Sequence, residues 1–235
     1  MSRRRSIVTI DGPAGVGKST VGRRVAAALR LPFLDTGILY RALTVAAQRD
    51  GIGSGDSLRL LRLTERVKLE INSATEPAPG AWQAKVDGQE LSEELWDPRL
   101  AQLLAAVARQ PEVRRALLPA QRAPATAGAV AVGRDTGTVV FPTADCKVYL
   151  DAPAEVRISR RRKELQDRGR DASEAVLRAD VLTRDQTDLS REFAPLAVPA
   201  DALSIDTTAL SADQVVRLVL AECRRKGLAP GEPAP

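Results

Sequence analysis

Short, mostly apolar runs alternate with amphipathic helical stretches along most of the chain. Runs of this kind are typical of strands that are buried on both faces of a parallel sheet. They cover residues 7–10, 31–35, 129–132, 147–150 and 202–206. Because helical periodicity separates them, the pattern predicts a doubly wound α/β fold with a five-stranded parallel sheet.

A different periodicity interrupts this pattern after the third predicted helix. Residues 67–71 alternate apolar and polar side chains, as a half-buried antiparallel strand does. Residues 82–86 and 89–91 form two further short strands, and Asp87 and Gly88 between them are typical of a hairpin turn. We therefore expect a small antiparallel sheet in addition to the parallel one.

These patterns suggest a division of the chain. A core of residues 1–66 and 97–227 carries the parallel sheet, and residues 67–96 are inserted into it. Residues 228–235 follow the last helical stretch and are expected to form a flexible tail.

A glycine-rich loop between the first strand and the first helix carries the clearest chemical signal. Gly12, Gly17, Lys18 and Ser19 fit the phosphate-loop spacing G-x-x-x-x-G-K-[ST]. Glycines let backbone N–H groups turn towards phosphates, and the positive end of the helix dipole points to the same place. We expect Lys18 to reach the β- and γ-phosphates of a nucleoside triphosphate and the Ser19 hydroxyl to hold Mg²⁺. The triphosphate-binding residues are then Gly12, Pro13, Ala14, Gly15, Val16, Gly17, Lys18, Ser19 and Thr20.

Composition excludes several other kinds of site. The 235 residues include no histidine, which removes histidine triads and imidazole acid–base chemistry. Cys146 and Cys223 are the two cysteines, which suggests a reducing compartment without disulfides. No apolar run approaches ~20 residues, so we expect a cytoplasmic protein without membrane contact. The net charge is +5, but no basic run is long enough to favour nucleic acid.

Polar residues follow the predicted strands closely. Three sets of residues stand at or directly after the ends of apolar runs: Asp35 and Thr36, residues 133–135, and Asp151. In a parallel sheet, ligands bind beyond the carboxyl ends of the strands. Arginines, whose forks match phosphate oxygens and base edges, are scattered near strand ends and helix starts. They are Arg41, Arg114, Arg134, Arg184 and Arg191. No Asn-Lys-x-Asp segment follows a strand, which argues against a GTPase.

Several segments together resemble bacterial-type cytidylate kinases, of the nucleoside monophosphate kinase group. The segments cover residues 11–18, 34–41, 111–114, 133–142 and 194–196, and the resemblance extends over nearly the whole chain. It implies an enzyme that transfers phosphate from ATP to CMP or dCMP with Mg²⁺. It also implies that the helical stretches at about 154–190 form a mobile lid. A solvated face of this lid is the simplest interpretation of four of its arginines, one or two of which would reach the phosphates: Arg157, Arg160, Arg161 and Arg162.

The resemblance also implies roles for individual residues. Lys18, Arg41 and Arg134 resemble the catalytic cations, and the two arginines also resemble a clamp on the monophosphate. Thr36, Arg114, Asp135 and Arg191 resemble the cytosine contacts, and Arg184 and Asp188 resemble the sugar contacts. A helix that continues to residue 191 would place Arg184, Asp188 and Arg191 on one face. Alternatively, Arg184 and Asp188 form an exposed i,i+4 ion pair.

Two positions depart from the family pattern. Val132 stands where the family usually has an acidic residue, so this chain would have to use another group, with Asp11 and Asp35 as the candidates, or water alone. Ala105 stands where the family tends to have a serine that contacts the sugar. We therefore expect weaker discrimination between ribose and deoxyribose acceptors than in relatives with serine.

Two alternative functions stay open at this point. The chain could be a phosphate-loop kinase for UMP or a non-nucleotide metabolite. Its pI near 9.6 could instead indicate an ATP-gated module that binds nucleic acid. The partners that we expect are ATP, CMP and dCMP, and no apolar stripe is left over for a second copy, so we expect a monomer.

Overall fold

A five-stranded parallel sheet forms the centre of the molecule. The computed structural model describes residues 6–73, 83–167, 169 and 173–228. The sheet has the order β2-β6-β1-β7-β8, so the first strand lies in its middle. The strands are β1 (Ile7–Asp11), β2 (Phe33–Asp35), β6 (Ala129–Gly133), β7 (Cys146–Asp151) and β8 (Leu203–Asp206). The predicted parallel sheet is confirmed, although several strands begin or end one or two residues from the predicted positions.

Helices cover both faces of this sheet. They are α1 (Lys18–Leu29), α2 (Gly37–Arg49), α3 (Ser57–Arg66), α4 (Ala101–Arg109), α5 (Pro111–Arg122), α6 (Ala154–Asp167), α7 (Glu174–Leu189) and α8 (Ala212–Arg225). Because strand side chains alternate between faces, Val130 and Val132 of β6 pack towards α1 and α8. Ala129 and Ala131 of the same strand pack in the other core, with α2, α3 and α5.

The second sheet is small and antiparallel. It contains β3 (Leu69–Ile71), β4 (Ala84–Val86) and β5 (Gln89–Leu91) in that order. Asp87 and Gly88 both have positive φ, as expected of the tight turn between β4 and β5. The buried residues of this sheet belong to the same apolar core as α2. Trp82, predicted to begin the second strand, lies outside the described residues, as do residues 229–235 of the tail predicted at 228–235.

Helices α6 and α7 pack against each other beside the sheet, around a small apolar cluster of Ile158, Leu177 and Val181. Helix α7 ends at Leu189, with Ser190 as its C-terminal cap. The helix therefore does not continue to Arg191. The prediction that Arg191 shares one helical face with Arg184 and Asp188 is wrong.

Helix α1 lies very close to the sheet at Gly22. A Cβ at this position would lie 2.6 Å from Cγ1 of Val132 and 2.9 Å from Cε2 of Phe33. Both of these side chains are buried, so neither can move away cheaply. The missing side chain thus lets the helix that follows the glycine-rich loop pack directly on β6 and β2.

We predict that Gly22→Ala destabilises the protein. Alanine in a helix normally gains about 1 kcal/mol over glycine, but overpacking a core costs about 1–3 kcal/mol, and the clash should dominate here. Urea denaturation should show a lower free energy of unfolding. Gly53→Ala, whose Cβ would meet nothing within 4 Å, is the control and should change this free energy little. A more stable Gly22→Ala variant would contradict the close packing of α1.

Candidate active site

The loop between β1 and α1 has the backbone geometry of a phosphate cradle. Gly12, Gly15 and Gly17 all have positive φ, a conformation that glycine adopts without strain. A Cβ on Gly12 would lie 2.1 Å from the carbonyl oxygen of Leu150, so no other residue fits there. Gly17 caps the N-terminus of α1, whose unpaired N–H groups and dipole favour an anion.

Lys18 is held at the mouth of this loop. It is 8% exposed, and its Nζ donates a hydrogen bond of 2.7 Å to the carbonyl oxygen of Pro13. Burial, with repulsion from Arg134 as the second cause, lowers the pKa of Lys18 well below its usual value. An anion bound in the loop would favour the charged form of this lysine.

Two oxygen-bearing side chains meet beside the lysine. The Ser19 hydroxyl donates to Oδ2 of Asp35 over 3.2 Å, and Oδ1 of Asp35 accepts from the backbone N–H of Gly37 over 3.0 Å. Hydroxyl and carboxylate oxygens are ligands that Mg²⁺ prefers. The pair is too small to hold a metal alone, and the described residues contain no cluster of three acidic, cysteine or histidine side chains. A metal here would need phosphate oxygens as further ligands.

One cleft of about 980 Å³ connects this loop to the residues that are predicted to contact the acceptor of the phosphoryl group. All eight residues predicted to contact the acceptor line it: Thr36, Arg41, Arg114, Arg134, Asp135, Arg184, Asp188 and Arg191. Six of the predicted triphosphate residues also line it: Ala14, Gly15, Gly17, Lys18, Ser19 and Thr20. Gly12, Pro13 and Val16 do not; Gly12 packs under the loop, and Val16 lies in the apolar core with α1.

Asp11 fixes the loop that follows β6. Its carboxylate is buried and accepts three hydrogen bonds, from N and Oγ1 of Thr136 over 2.9 and 2.7 Å and from N of Gly137 over 2.7 Å. Burial raises the pKa of Asp11 in spite of these bonds. Because its oxygens are already engaged, Asp11 is a poor substitute for the acid that Val132 replaces. Asp35, next to Val132 in the β2–β6 register, is better placed.

Two sets of ion pairs line the acceptor end of the cleft. Nη2 of Arg114 lies 2.7 Å from Oδ2 of Asp135, with both side chains buried. Asp188 bridges Arg134, at 2.7 Å from its Nε, and Arg191. Nε of Arg114 and both Nε and Nη1 of Arg191 are buried without a hydrogen-bond partner in the described part of the protein. Since buried donors are rarely left unpaired, these N–H groups lack a partner, which the described side chains and backbone do not supply.

Arg41 of α2 lines the same cleft. Its Nη1 donates to the carbonyl oxygen of Leu95 over 3.0 Å, and its guanidinium carbon lies 4.4 Å from the ring centre of Trp96. Burial, followed by repulsion from Arg184, lowers the pKa of Arg41 to about 10, so the side chain stays charged at neutral pH. Sequence reasoning missed Trp96; its position directly after the β3–β5 sheet and before Pro98 was the available signal.

The arginines of α6 and α7 differ from the sequence interpretation. Arg184 pairs with Asp180 at 2.9 Å, so the predicted alternative of an exposed Arg184–Asp188 pair is wrong. Arg157 is not on a solvated face but 5% exposed. Arg160 also turns inward, and its guanidinium donates to the carbonyl and hydroxyl oxygens of Thr207 over 2.6 and 2.9 Å.

A phosphate cradle and a cluster of arginines thus share one cleft at the carboxyl edge of a parallel sheet. This combination defines the class of phosphate-loop kinases, in which such a cradle holds a triphosphate and cations guide an acceptor. The chain belongs to the cytidylate kinase family, whose model, described as "Cytidylate kinase", matches residues 8–225.

Individual relatives agree with this assignment. The chain is 41% identical over 227 residues to the cytidylate kinase of Shewanella loihica, covering 96% of this chain and 97% of that protein. It is 44% identical over 215 residues to the cytidylate kinase of Methylococcus capsulatus, covering 91% and 95%. A bifunctional pantoate ligase/cytidylate kinase of Synechocystis is 40% identical over 222 residues, which are 94% of this chain and 43% of that protein. None of the helices that the structure describes is long and apolar enough to cross a membrane.

Proposed function

We propose that the protein transfers the γ-phosphoryl group of ATP to CMP or dCMP, giving ADP and CDP or dCDP. One observation carries the proposal: a single cleft joins the phosphate cradle to buried guanidinium donors that have no partner in the described protein. In-line transfer between two phosphates needs positioning and charge neutralisation more than covalent help. An acceptor phosphate oxygen is already anionic at neutral pH, so the absence of histidine from the chain is no obstacle.

On the donor side, residues 12–20 would enclose the triphosphate of ATP. Lys18 would move from the carbonyl of Pro13 to the β- and γ-phosphates, where an anion stabilises its charge. The Ser19 hydroxyl would hold Mg²⁺, with Asp35 orienting its water ligands. The ion would neutralise charge on the phosphate oxygens. Arg160 and Arg161, which line the cleft, are the candidates for contact with the transferring group.

On the acceptor side, Arg41 and Arg134 would hold the monophosphate. Arg41 is kept in place by the Leu95 carbonyl and the face of Trp96, so its fork is oriented before the acceptor arrives. Arg134 reaches the cleft from the loop that Asp11 fixes. Two cations placed on one phosphate would also aim its attacking oxygen at the donor.

The buried ion pairs would bind the base. Cytosine offers an amino group as donor and a ring nitrogen and a carbonyl oxygen as acceptors. The free donors of Arg114 and Arg191 suit the acceptor atoms, and the Asp135 carboxylate suits the amino group. The Thr36 hydroxyl already donates to the carbonyl of Val132 over 3.1 Å, so its lone pairs can accept from the base.

The sugar would lie between α7 and α4. Arg184 and Asp188 face the cleft from α7, and Ala105 faces it from α4. The methyl group of Ala105 offers no hydrogen bond to a sugar hydroxyl.

Further expectations belong to the same proposal. Helices α6 and α7 would act as a lid that excludes water during transfer, because water would otherwise receive the phosphate. Residues 67–96 would enlarge the monophosphate-binding region of a core formed by residues 1–66 and 97–227. We also propose that the protein is a cytoplasmic monomer that does not bind nucleic acid.

A substrate panel tests the function and its alternatives. An assay of ADP release with CMP, dCMP, UMP and AMP should show preferred use of CMP or dCMP. Preference for UMP, or activity with none of the four, would favour a kinase for another acceptor. Salt-dependent binding to DNA or RNA without phosphoryl transfer would favour the ATP-gated module.

We predict that Arg41→Ala lowers kcat/KM for CMP by about 100-fold or more, since one arginine on a transferring phosphate contributes about 3–5 powers of ten in the strongest cases. ATP affinity, measured by titration calorimetry, should change less than about threefold. Arg49→Ala is the matched control, because Arg49 lies on the same helix and pairs with Glu94 instead of lining the cleft. An equal loss of ATP affinity would contradict the assignment of Arg41 to the acceptor.

We predict that Ala105→Ser raises the ratio of kcat/KM for CMP to that for dCMP. One added hydrogen bond of about 0.5–1.5 kcal/mol corresponds to a change of about 2- to 10-fold. Steady-state kinetics with both acceptors measure the ratio. Ala116→Ser, at an exposed position of α5, is the control. An unchanged ratio in Ala105→Ser would contradict the placement of this residue at the sugar.

A further inference from the structure

Arg157 has no role in the ATP and CMP sites proposed above, yet it contacts parts of the protein on both sides of the cleft. Its Nη1 donates to the carbonyl oxygen of Ala14 in the phosphate loop over 3.2 Å, and its Nε donates to that of Ala152 over 2.8 Å. The same guanidinium forms a two-pronged ion pair with Asp185 of α7, with N–O distances of 2.9 and 2.6 Å.

On the donor side, this contact orients one peptide group of the phosphate loop. The structure has no cis peptide bond among the residues it describes, so the carbonyl of Ala14 and the N–H of Gly15 point in opposite directions. Because the carbonyl faces Arg157, the N–H is turned away from it. A Cβ on Gly15 would lie 3.3 Å from the carbonyl oxygen of Arg157, so the loop also packs closely on α6. A phosphate that moves this peptide group would therefore also displace the oxygen atom to which Arg157 donates its hydrogen bond.

On the acceptor side, Asp185 shares a helix with two groups that line the cleft. Arg184 precedes it, and Asp188 lies three residues further along α7 and holds Arg134 and Arg191. A helix moves as a rigid unit over such a short span. A displacement of Asp185 is therefore a displacement of the groups that would meet the nucleoside monophosphate.

A second ion pair shows that this connection is more than a link between two helices. Arg178 of α7 pairs with both oxygens of Glu155 of α6, at 2.5 and 2.6 Å. That pair is largely exposed and has no contact with the phosphate loop, whereas the side chains of Arg157 and Asp185 are 6% and 18% exposed. Burying a charged pair costs desolvation, so stabilisation of α6 on α7 alone does not explain the choice of a buried pair.

We propose that Arg157 and Asp185 are positioning residues that couple the phosphate loop to the acceptor site. An occupied loop fixes the Ala14 peptide, Arg157 transmits this to Asp185, and α7 then presents Arg184 and Asp188 in the arrangement that binds CMP. This proposal rests on the proposed function, because the coupled ligands are ATP and CMP. Such coupling is reciprocal, so CMP changes the affinity for ATP by the same factor.

Titration calorimetry measures the coupling directly. The dissociation constant of CMP is determined without and with saturating magnesium and an ATP analogue whose β,γ-bridge is nitrogen. The ratio of the two constants should be about 5–150 in the wild-type protein, the usual range for coupled sites. It should fall to within about twofold of 1 in Asp185→Asn. The ratio should fall in the same way in Arg157→Lys, because lysine keeps the positive charge but lacks the guanidinium that pairs with both oxygens of Asp185.

The matched control is Glu155→Gln, which removes the exposed ion pair between the same helices and should keep the wild-type ratio. A ratio near 1 in a wild-type protein that phosphorylates CMP would overturn the coupling and leave the proposed function intact. A wild-type ratio in Asp185→Asn would also overturn it. A wild-type protein without affinity for CMP in either state would contradict both.

Hydrogen exchange keeps the proposal testable if the variants of this buried pair fail to fold. In the wild-type protein, the ATP analogue alone should slow the exchange of α7 amides. Unchanged exchange in α7, with slower exchange confined to the loop and α1, would overturn the coupling.

Discussion

The hydrogen bonds of Asp11 are the interaction on which the rest of the site depends. Asp11 ends β1, directly before the phosphate loop, and its carboxylate holds the backbone of Thr136 and Gly137 after β6. One buried side chain therefore fixes the distance between the part of the protein that would hold the donor and the loop that carries Arg134 and Asp135. Burial disfavours the charged form of Asp11 and raises its pKa, and the three hydrogen bonds that its carboxylate accepts offset part of this cost.

Charge in the cleft is organised in a similar way. Most cations that would meet nucleotide phosphates or base edges already have a partner in the described structure: Arg114 has Asp135, Arg134 and Arg191 share Asp188, and Lys18 has a carbonyl. These partners fix the orientation of the three guanidinium groups and of the Lys18 ammonium. The arginines are therefore oriented before binding, whereas Lys18 would still have to leave the Pro13 carbonyl to reach a phosphate.

The fold and much of the site could be predicted because their signals are local. The phosphate loop is one continuous segment with a fixed spacing, and several strands are short apolar runs followed by predicted site residues. Partner choices could not be predicted, because they depend on how distant elements pack. The basic neighbours of Arg157 predict a solvated side chain, yet its guanidinium reaches the carbonyl oxygen of Ala14, 143 residues away, a contact that no periodicity reveals. The predicted alternative pairs Arg184 with Asp188, four residues later, whereas the structure pairs it with Asp180, four residues earlier.

The central position of β1 has a consequence for how the protein is made. Val8 pairs with Val130 on one side and with Cys146 on the other, so β1 has both of its neighbours more than 120 residues later in the chain. At typical synthesis rates of about 5–20 residues per second, β1 waits roughly 6–28 s for them. The phosphate loop is thus synthesised well before the two strands that pair with β1. During that interval β1 is an unpaired apolar strand, so its sequence must not promote aggregation.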